Sequence, residues 1–280
     1  MQPIRRPLVV IPTYQEAHNI ESVLAALAEA DPELRALVVD DGSPDGTADL
    51  AQAVGDRTGT VRVLRRSEKS GLGSAYRAGF QWGISRGHDA LVEMDADLSH
   101  DPADVPRLLA ALEGDVDLAI GSRYVKGGRI PHWTLRRRLL SRWGNRYAGA
   151  MLGLGILDAT SGLRAYRASF LDGIDLAGVR TDGYGFQIEM ADRVVAGGGR
   201  VVEIPISFTD RVLGDSKMSQ RIVVEALGMV TRRSLERRIL RRPAPDGLGP
   251  VVGARPAEDA CDRAGSVDSD TNSDSSRRLA

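Results

Sequence analysis

A chain of 280 residues, 42% of them hydrophobic, has enough apolar mass for one large α/β domain or two small ones. Its 37 basic and 38 acidic residues leave a net charge of −1, which excludes a field-driven binder of nucleic acid or another polyanion. The single cysteine, Cys261 in a polar stretch, excludes an internal disulfide and a multi-cysteine metal site and fits a reducing compartment.

The apolar stretch near the start runs only from Leu8 to Ile11 before Pro12, too short for a signal peptide. Short β-rich runs at 7–12, 35–41, 60–66, 89–95 and 116–122 then alternate with helical patterns at 19–30, 45–55, 73–87 and 102–114. This series predicts an α/β fold with a doubly wound, mainly parallel sheet, whose ligands gather at the carboxyl ends of the strands. The polar clusters PTYQE, DDGSPDGT and MDADLSH fall at those ends.

From Lys126 to Leu157 the composition changes: Arg129, Arg136, Arg137, Arg138, Arg142 and Arg146 meet no acid, and Trp133 and Trp143 lie among them. The longest uncharged apolar stretch, 147–157, falls well below the roughly 18 residues of a membrane span, so any membrane contact is expected to be peripheral. Next come an expected strand pair around 158–167, a helix through 186–198, a strand at 200–211 and a helix from about 218 to 239. Beyond Pro243 the composition is rich in Pro, Gly, Ser and Asp, which predicts a disordered tail over 243–280 behind a folded domain of 1–242.

Asp95 and Asp97 flank one alanine at the end of an apolar run. On an extended strand both would face the same side, where bare like charges repel. Hard oxygen ligands so arranged suit a divalent cation that also holds a diphosphate; the competing reading is helix capping, with Ser99 or Asp101 starting the helix after Pro102. In VVDDGSPDGT, Asp40 and Asp41 are candidates for meeting a base and ribose, against a turn that caps a helix at Asp45. IPTYQE offers Tyr14 for stacking and Glu16 for a hydroxyl or amine. The basic run is either a solvated helix face or a site for anions, and its lack of acids and its tryptophans favour an anionic lipid head group at a membrane surface. Arg123 is placed to reach the crevice mouth, or else to pair with a surface acid. His18, His88, His100 and His132 share no ligand spacing.

PTYQE, DDGSPDGT, KSGLGSAY, MDADLSH, GSRY, RRRLLSRWGN, TSGLRAYR, GYGFQIEM and EIPISFTDRVLGDSKMS, in this order over about residues 7–220, resemble the family-2 glycosyltransferases that make dolichyl- or polyprenyl-phosphate mannose. The resemblance implies the Rossmann-like GT-A fold with C-terminal amphipathic helices, GDP-mannose as donor, a polyprenyl phosphate as acceptor and Mg²⁺ or Mn²⁺ as metal. It further implies that Pro12, Tyr14, Glu16, Asp41 and Ala96 line the donor site and that Asp95 and Asp97 hold metal and diphosphate. Arg123, Arg137 and Ser141 match positions for the acceptor phosphate, and Arg211 and Lys217 match a clamp on the donor diphosphate. Ser99 stands where some members carry an amide, which puts a metal role for it in doubt.

An acceptor phosphate with its second pKa near 6 is already mostly dianionic at neutral pH and needs no general base. One in-line displacement would invert the sugar carbon and give a β-linked lipid product and GDP. Catalytic roles are expected for Asp97, Arg123, Arg211 and Lys217. Expected partners are GDP-mannose, the lipid, a membrane surface on its cytoplasmic face and a possible separate anchoring protein, with no nucleic acid. Two rivals remain: a homologue that uses UDP-glucose or a similar donor, and a non-catalytic nucleotide-sugar or membrane-surface module. An NAD enzyme is disfavoured, because the first strand lacks a Gly-x-Gly-x-x-Gly turn.

Overall fold

The computed structural model describes residues 3–210 and 220–239. The buried apolar runs form β1 (Pro7–Thr13), β2 (Arg35–Asp40), β3 (Val61–Arg65), β4 (Ala90–Glu93) and β5 (Leu118–Ser122), joined later by β6 (Arg164–Arg167) and β7 (Val201–Pro205). Between them lie α1 (Ile20–Ala30), α2 (Thr47–Thr58), α3 (Leu72–Ser85) and α4 (Val105–Ala111), which is preceded by a 3₁₀ turn over Pro102–Asp104. They are followed by α5 (Leu135–Leu152), α6 (Ala168–Asp172), α7 (Gly183–Ala196) and α8 (Gln220–Ile239). The seven strands form one sheet in the order β3-β2-β1-β4-β6-β5-β7.

Side-chain alternation along β1 divides the core. Val9 and Ile11 join the cluster that includes Val23, Val54 and Leu108 from α1, α2 and α4, whereas Leu8 and Val10 join Tyr76 and Phe80 of α3 and Phe186 of α7. Each fully buried aliphatic side chain of this kind contributes roughly 1.5–3 kcal/mol relative to exposure. On the second face α3 comes close to the sheet: a Cβ at Gly79 would run into the Val10 side chain, and one at Gly83 would stand 2.5 Å from Leu91 Cδ2. That close approach brings the first turn of α3 up to the strand ends.

Strands β1 to β4 pair in parallel, as the sequence predicts. One feature goes beyond the sequence pattern and two expectations need correction. Strand β5 does not lie beside β4, because β6 inserts between them and pairs antiparallel with both. The strand pair expected around 158–167 is the single strand β6; the residues before it form a turn that packs against β5 through Gly121 N–H to Leu163 O at 2.9 Å. Strand β4 stops at Glu93, so Asp95 and Asp97 are not brought together by strand alternation. They lie on a turn in which Leu98 takes φ 57°, a left-handed conformation that L-residues adopt at a cost. The 3₁₀ turn that follows is capped by Asp101, whose carboxylate accepts from Ala103 N–H at 2.9 Å, with Pro102 at its first position, so capping makes no demand on Asp95 or Asp97.

Among the described residues no helix is long and apolar enough to cross a membrane. The expected domain limit near Arg242 and the tail over 243–280 lie outside the described residues, as do Arg211 and Lys217.

Candidate active site

Strand order reverses between β1 and β4, the position at which doubly wound sheets open a crevice. A cavity of about 580 Å³ lies there, and it gathers Pro12, Tyr14, Glu16, Asp41, Asp95, Ala96, Asp97, Arg123 and Arg137 from motifs far apart in the chain. Ser141 is not among the lining residues: its hydroxyl accepts from Tyr124 OH at 2.7 Å, one layer back.

The two neighbouring aspartates after β2 divide their tasks. Asp40, 1% exposed, accepts from Thr13 Oγ1 at 2.9 Å, Ser43 N–H at 2.9 Å and Ser43 Oγ at 2.6 Å, so it ties the ends of β1 and β2 together and does not meet a ligand. Asp41 lines the cavity, pairs with Arg66 Nη1 at 2.9 Å and accepts from Ser70 N–H at 3.0 Å. The N-cap of α2 is Gly46, with no side-chain cap hydrogen bond; Asp45 instead fixes the loop, accepting from the Thr47 hydroxyl at 2.6 Å and from Ala17 N–H at 3.1 Å. Burial pushes its carboxyl up, but these hydrogen bonds outweigh that and leave it below the usual value. Above them, the Lys69 ammonium sits 4.2 Å from the centroid of the Tyr14 ring.

Asp95 accepts from Tyr76 OH at 3.3 Å, and His100 Nδ1 stands 3.8 Å from its other oxygen. Burial and then the Asp95 charge hold the Tyr76 hydroxyl well above its ordinary pKa, so it remains a donor. Asp97 accepts from Ser99 N–H at 3.0 Å. Burial holds His100 down at about 4 against the pull of Asp97, and its ring is neutral at pH 7. Among the described residues no group of three or more His, Cys, Asp or Glu could enclose a metal ion. Two hard carboxylates on one cavity wall, each braced by a neutral donor, nevertheless fit a divalent cation whose remaining ligands come from a bound diphosphate and water.

Behind Asp95 lies a buried cluster. Glu93 is 0% exposed and neither oxygen has a hydrogen bond of good geometry; burial raises its pKa to about 7, although Arg164, Gln187 and Tyr166 lie near enough to favour its charge. Arg164 is itself tied to backbone oxygens of Ser161, Gln187 and Ala159 at 2.6–2.8 Å.

The facing wall is cationic. Arg123 leaves β5 and is 5% exposed; its partner is not a surface acid but the fully buried Asp158, reached by Nε and Nη2 at 2.7 Å each. Burial works against the guanidinium charge, yet Asp158 more than offsets it and holds Arg123 above the ordinary arginine value. Burial likewise pushes Asp158 up, and Arg123 pulls it further down. Asp158 is positioned in turn by Glu203, which accepts from its N–H at 2.9 Å. Arg137, on the first turn of α5 after the Thr134 cap, stacks 4.0 Å over Trp133 and pairs with Asp210 at 2.9 Å.

Several lining residues received no role from the sequence: Lys69, His100, Asp182 and Gln187. Lys69 and Gln187 sit inside motifs already noted, KSGLGSAY and GYGFQIEM. Asp158 carried no local signal, because its importance comes from pairing with Arg123 across 35 positions.

The family profile described as "Glycosyl transferase family 2" matches residues 8–174. "Polyprenol monophosphomannose synthase" of Mycolicibacterium smegmatis is 48% identical over 245 residues, covering 86% of this chain and 91% of that protein. "Undecaprenyl-phosphate mannosyltransferase" of Micrococcus luteus is 50% identical over 233 residues, covering 83% and 96%. Among solved structures, glucosyl-3-phosphoglycerate synthase from Mycobacterium tuberculosis, in complex with Mn²⁺ and UDP-glucose, has a TM-score of 0.55 at 22% identity over 87% of this chain and 81% of that one, a likeness of GT-A-like fold alone. With a matching profile and relatives at or near half identity over most of its length, the chain belongs to glycosyl transferase family 2, the polyprenyl-phosphate mannosyltransferase type that its motifs resemble.

Proposed function

We propose that the protein transfers mannose from GDP-mannose to the phosphate of a polyprenyl phosphate, with inversion, giving polyprenyl-phosphate β-mannose and GDP. The observation that carries this reading is the meeting of the Asp95–Asp97 pair and Arg137 in one cavity of about 580 Å³, enough for two anions to be held side by side. The two relatives at 48% and 50% identity bear names for mannosyl transfer to such lipids, which supports the substrate class.

On this reading Tyr14, Glu16 and Asp41 hold the nucleotide, and Asp95 and Asp97 hold Mg²⁺ or Mn²⁺ against the diphosphate. When bound, the cation supplies neutralisation of the negative charge that develops on the leaving group. Arg137 and Arg123 orient the acceptor phosphate, whose dianion attacks without a base. Arg211 and Lys217 complete the proposed clamp from the segment after Asp210.

The outward face of α5 supports a site at a lipid surface. Leu135, Leu139, Leu140 and Trp143 are 54–70% exposed and alternate with Arg136, Arg142 and Arg146, the pattern of a helix lying in a bilayer interface. Its first turn rims the cavity through Arg137, so a membrane against this face would meet the acceptor side. The reading therefore makes the protein peripheral, on the cytoplasmic leaflet, alone or with an anchoring partner.

The test is incubation of purified protein with labelled GDP-mannose, a short-chain polyprenyl phosphate and Mg²⁺, with and without chelator. Lipid-soluble label that forms only with the cation is expected. Label from UDP-glucose but not from GDP-mannose would replace the donor, and nucleotide binding without any product would replace the enzyme by a binding module.

A further inference from the structure

Helix α7, Gly183–Ala196, begins at the cavity, and its first-turn residues Gly183 and Tyr184 line it together with Gln187 one turn on. Gln187 is 3% exposed, and its Oε1 has no hydrogen-bond donor among the described residues. A buried acceptor left without a donor is destabilising, so such a group in a cleft marks a place for an incoming donor. The backbone oxygen of Gln187 is separately engaged, accepting from Arg164 Nη1 at 2.7 Å, and the rest of its side chain lies beside the buried Glu93.

Asp182, just ahead of the helix, lines the same wall. One of its oxygens accepts from Gly73 N–H at 2.7 Å, and its other crowds the position where a Cβ on Gly71 would stand, so the carboxylate is fixed against the first turn of α3. An amide oxygen and a carboxylate both accept hydrogen bonds. They suit neither a phosphate, which brings only acceptors and negative charge, nor an apolar chain; they suit a ligand rich in hydroxyl groups.

We propose that Gln187 and Asp182 form the sugar-reading wall of the donor site, with the Gln187 amide oxygen accepting from a ring hydroxyl of the hexose to be transferred. The inference rests on the glycosyl-transfer reading above and adds the residues that would distinguish a nucleotide sugar from its bare nucleotide.

The experiment is calorimetric titration of the full chain with GDP and with GDP-mannose in the presence of Mn²⁺, for wild type and Gln187→Met. The expected result is unchanged GDP affinity and a loss of about 3- to 10-fold for GDP-mannose alone. Equal weakening of both ligands, or no change in either, overturns the proposal. If circular dichroism shows Gln187→Met unfolded, Asp182→Asn, which keeps an acceptor for Gly73 N–H, carries the same comparison. Should wild type prefer UDP-glucose, the donor assignment fails, and the wall is judged on the same loss measured between UDP and UDP-glucose. A wild type that binds nucleotides but no nucleotide sugar overturns both readings.

Discussion

On the wall made by β1, β2 and β4, Asp95 and Asp97 are braced by neutral donors, Tyr76 OH and Ser99 N–H. On the wall made by β5 and α5, Arg123 and Arg137 already face carboxylates, Asp158 and Asp210. The difference teaches which side depends on what it binds. Carboxylates steadied by hydrogen-bond donors suit an added cation, whereas arginines balanced by acids hold their shape beforehand and exchange or share a partner when an anion arrives.

The largest effect that would break this contrast is expected from Asp97→Ala. Turnover should fall by about 100-fold or more while thermal unfolding stays near wild type, because Asp97 serves charge and not packing. Near-normal transfer in a chelator-controlled assay would remove the metal role. On the other wall, Asp158→Ala should damage stability first. It strands a buried guanidinium, at a cost of about 3–5 kcal/mol readable by urea denaturation, and an unaltered midpoint would mean that the pair is not the support described.

Milder changes sharpen the comparison. Leu139→Glu combined with Trp143→Glu should abolish co-sedimentation with vesicles rich in anionic lipid and spare transfer to a detergent-solubilised short-chain acceptor. Arg137→Ala should raise KM for the polyprenyl phosphate by about tenfold and leave KM for GDP-mannose unchanged, since that side chain is half exposed and lies on the acceptor wall alone. Equal effects on both substrates would contradict the division of the cleft.

The smallest expected effect lies at the far end of the sheet. Burial holds His88 below its ordinary 6.5, against its hydrogen bond to Arg6 O. The unfolded chain therefore takes up the proton first. The stability contributed by neutral His88 is complete above about pH 6.5 and is lost as pH falls toward the lowered folded value. His88→Gln should flatten the difference between urea midpoints at pH 5.5 and 7.5 without altering transfer, and an unchanged slope would assign the acid sensitivity elsewhere.

The parallel half of the fold was legible because each buried strand is a short apolar run and each helix repeats its apolar positions at three and four. Cavity-lining residues at the ends of β1, β2 and β4 were legible for the same reason: they stand at the carboxyl ends of those apolar runs. What could not be read was pairing at a distance. Nothing near TSGLRAYR tells that β6 slots antiparallel between β4 and β5, because that choice is made by partners as far apart as Ala90 and Arg167. Arg123 does line the cavity that its place after β5 suggests, but its burial is not legible, since arginine is seldom fully buried without a partner and the partner, Asp158, is brought to it only by the turn before β6. The carboxylate pair was recognised for its chemistry, but its geometry comes from a turn with Leu98 in the left-handed region, which alternation along a strand does not anticipate.

The antiparallel placement of β6 carries one more consequence. Ile120 and Arg164 stand opposite each other on adjacent strands, so the segment that carries Arg123, Arg137, Trp143 and Asp158 leaves the sheet after Ser122 and returns to it in β6 beside its point of departure. The excursion is anchored on its way back, because Ala148, Leu152, Leu154 and Ile156 enter the core and Asp158 N–H donates to Glu203 of β7. A chimera that exchanges this excursion between β5 and β6 must therefore carry these anchors with it, or the graft unsettles the fold along with the cavity wall it was meant to change.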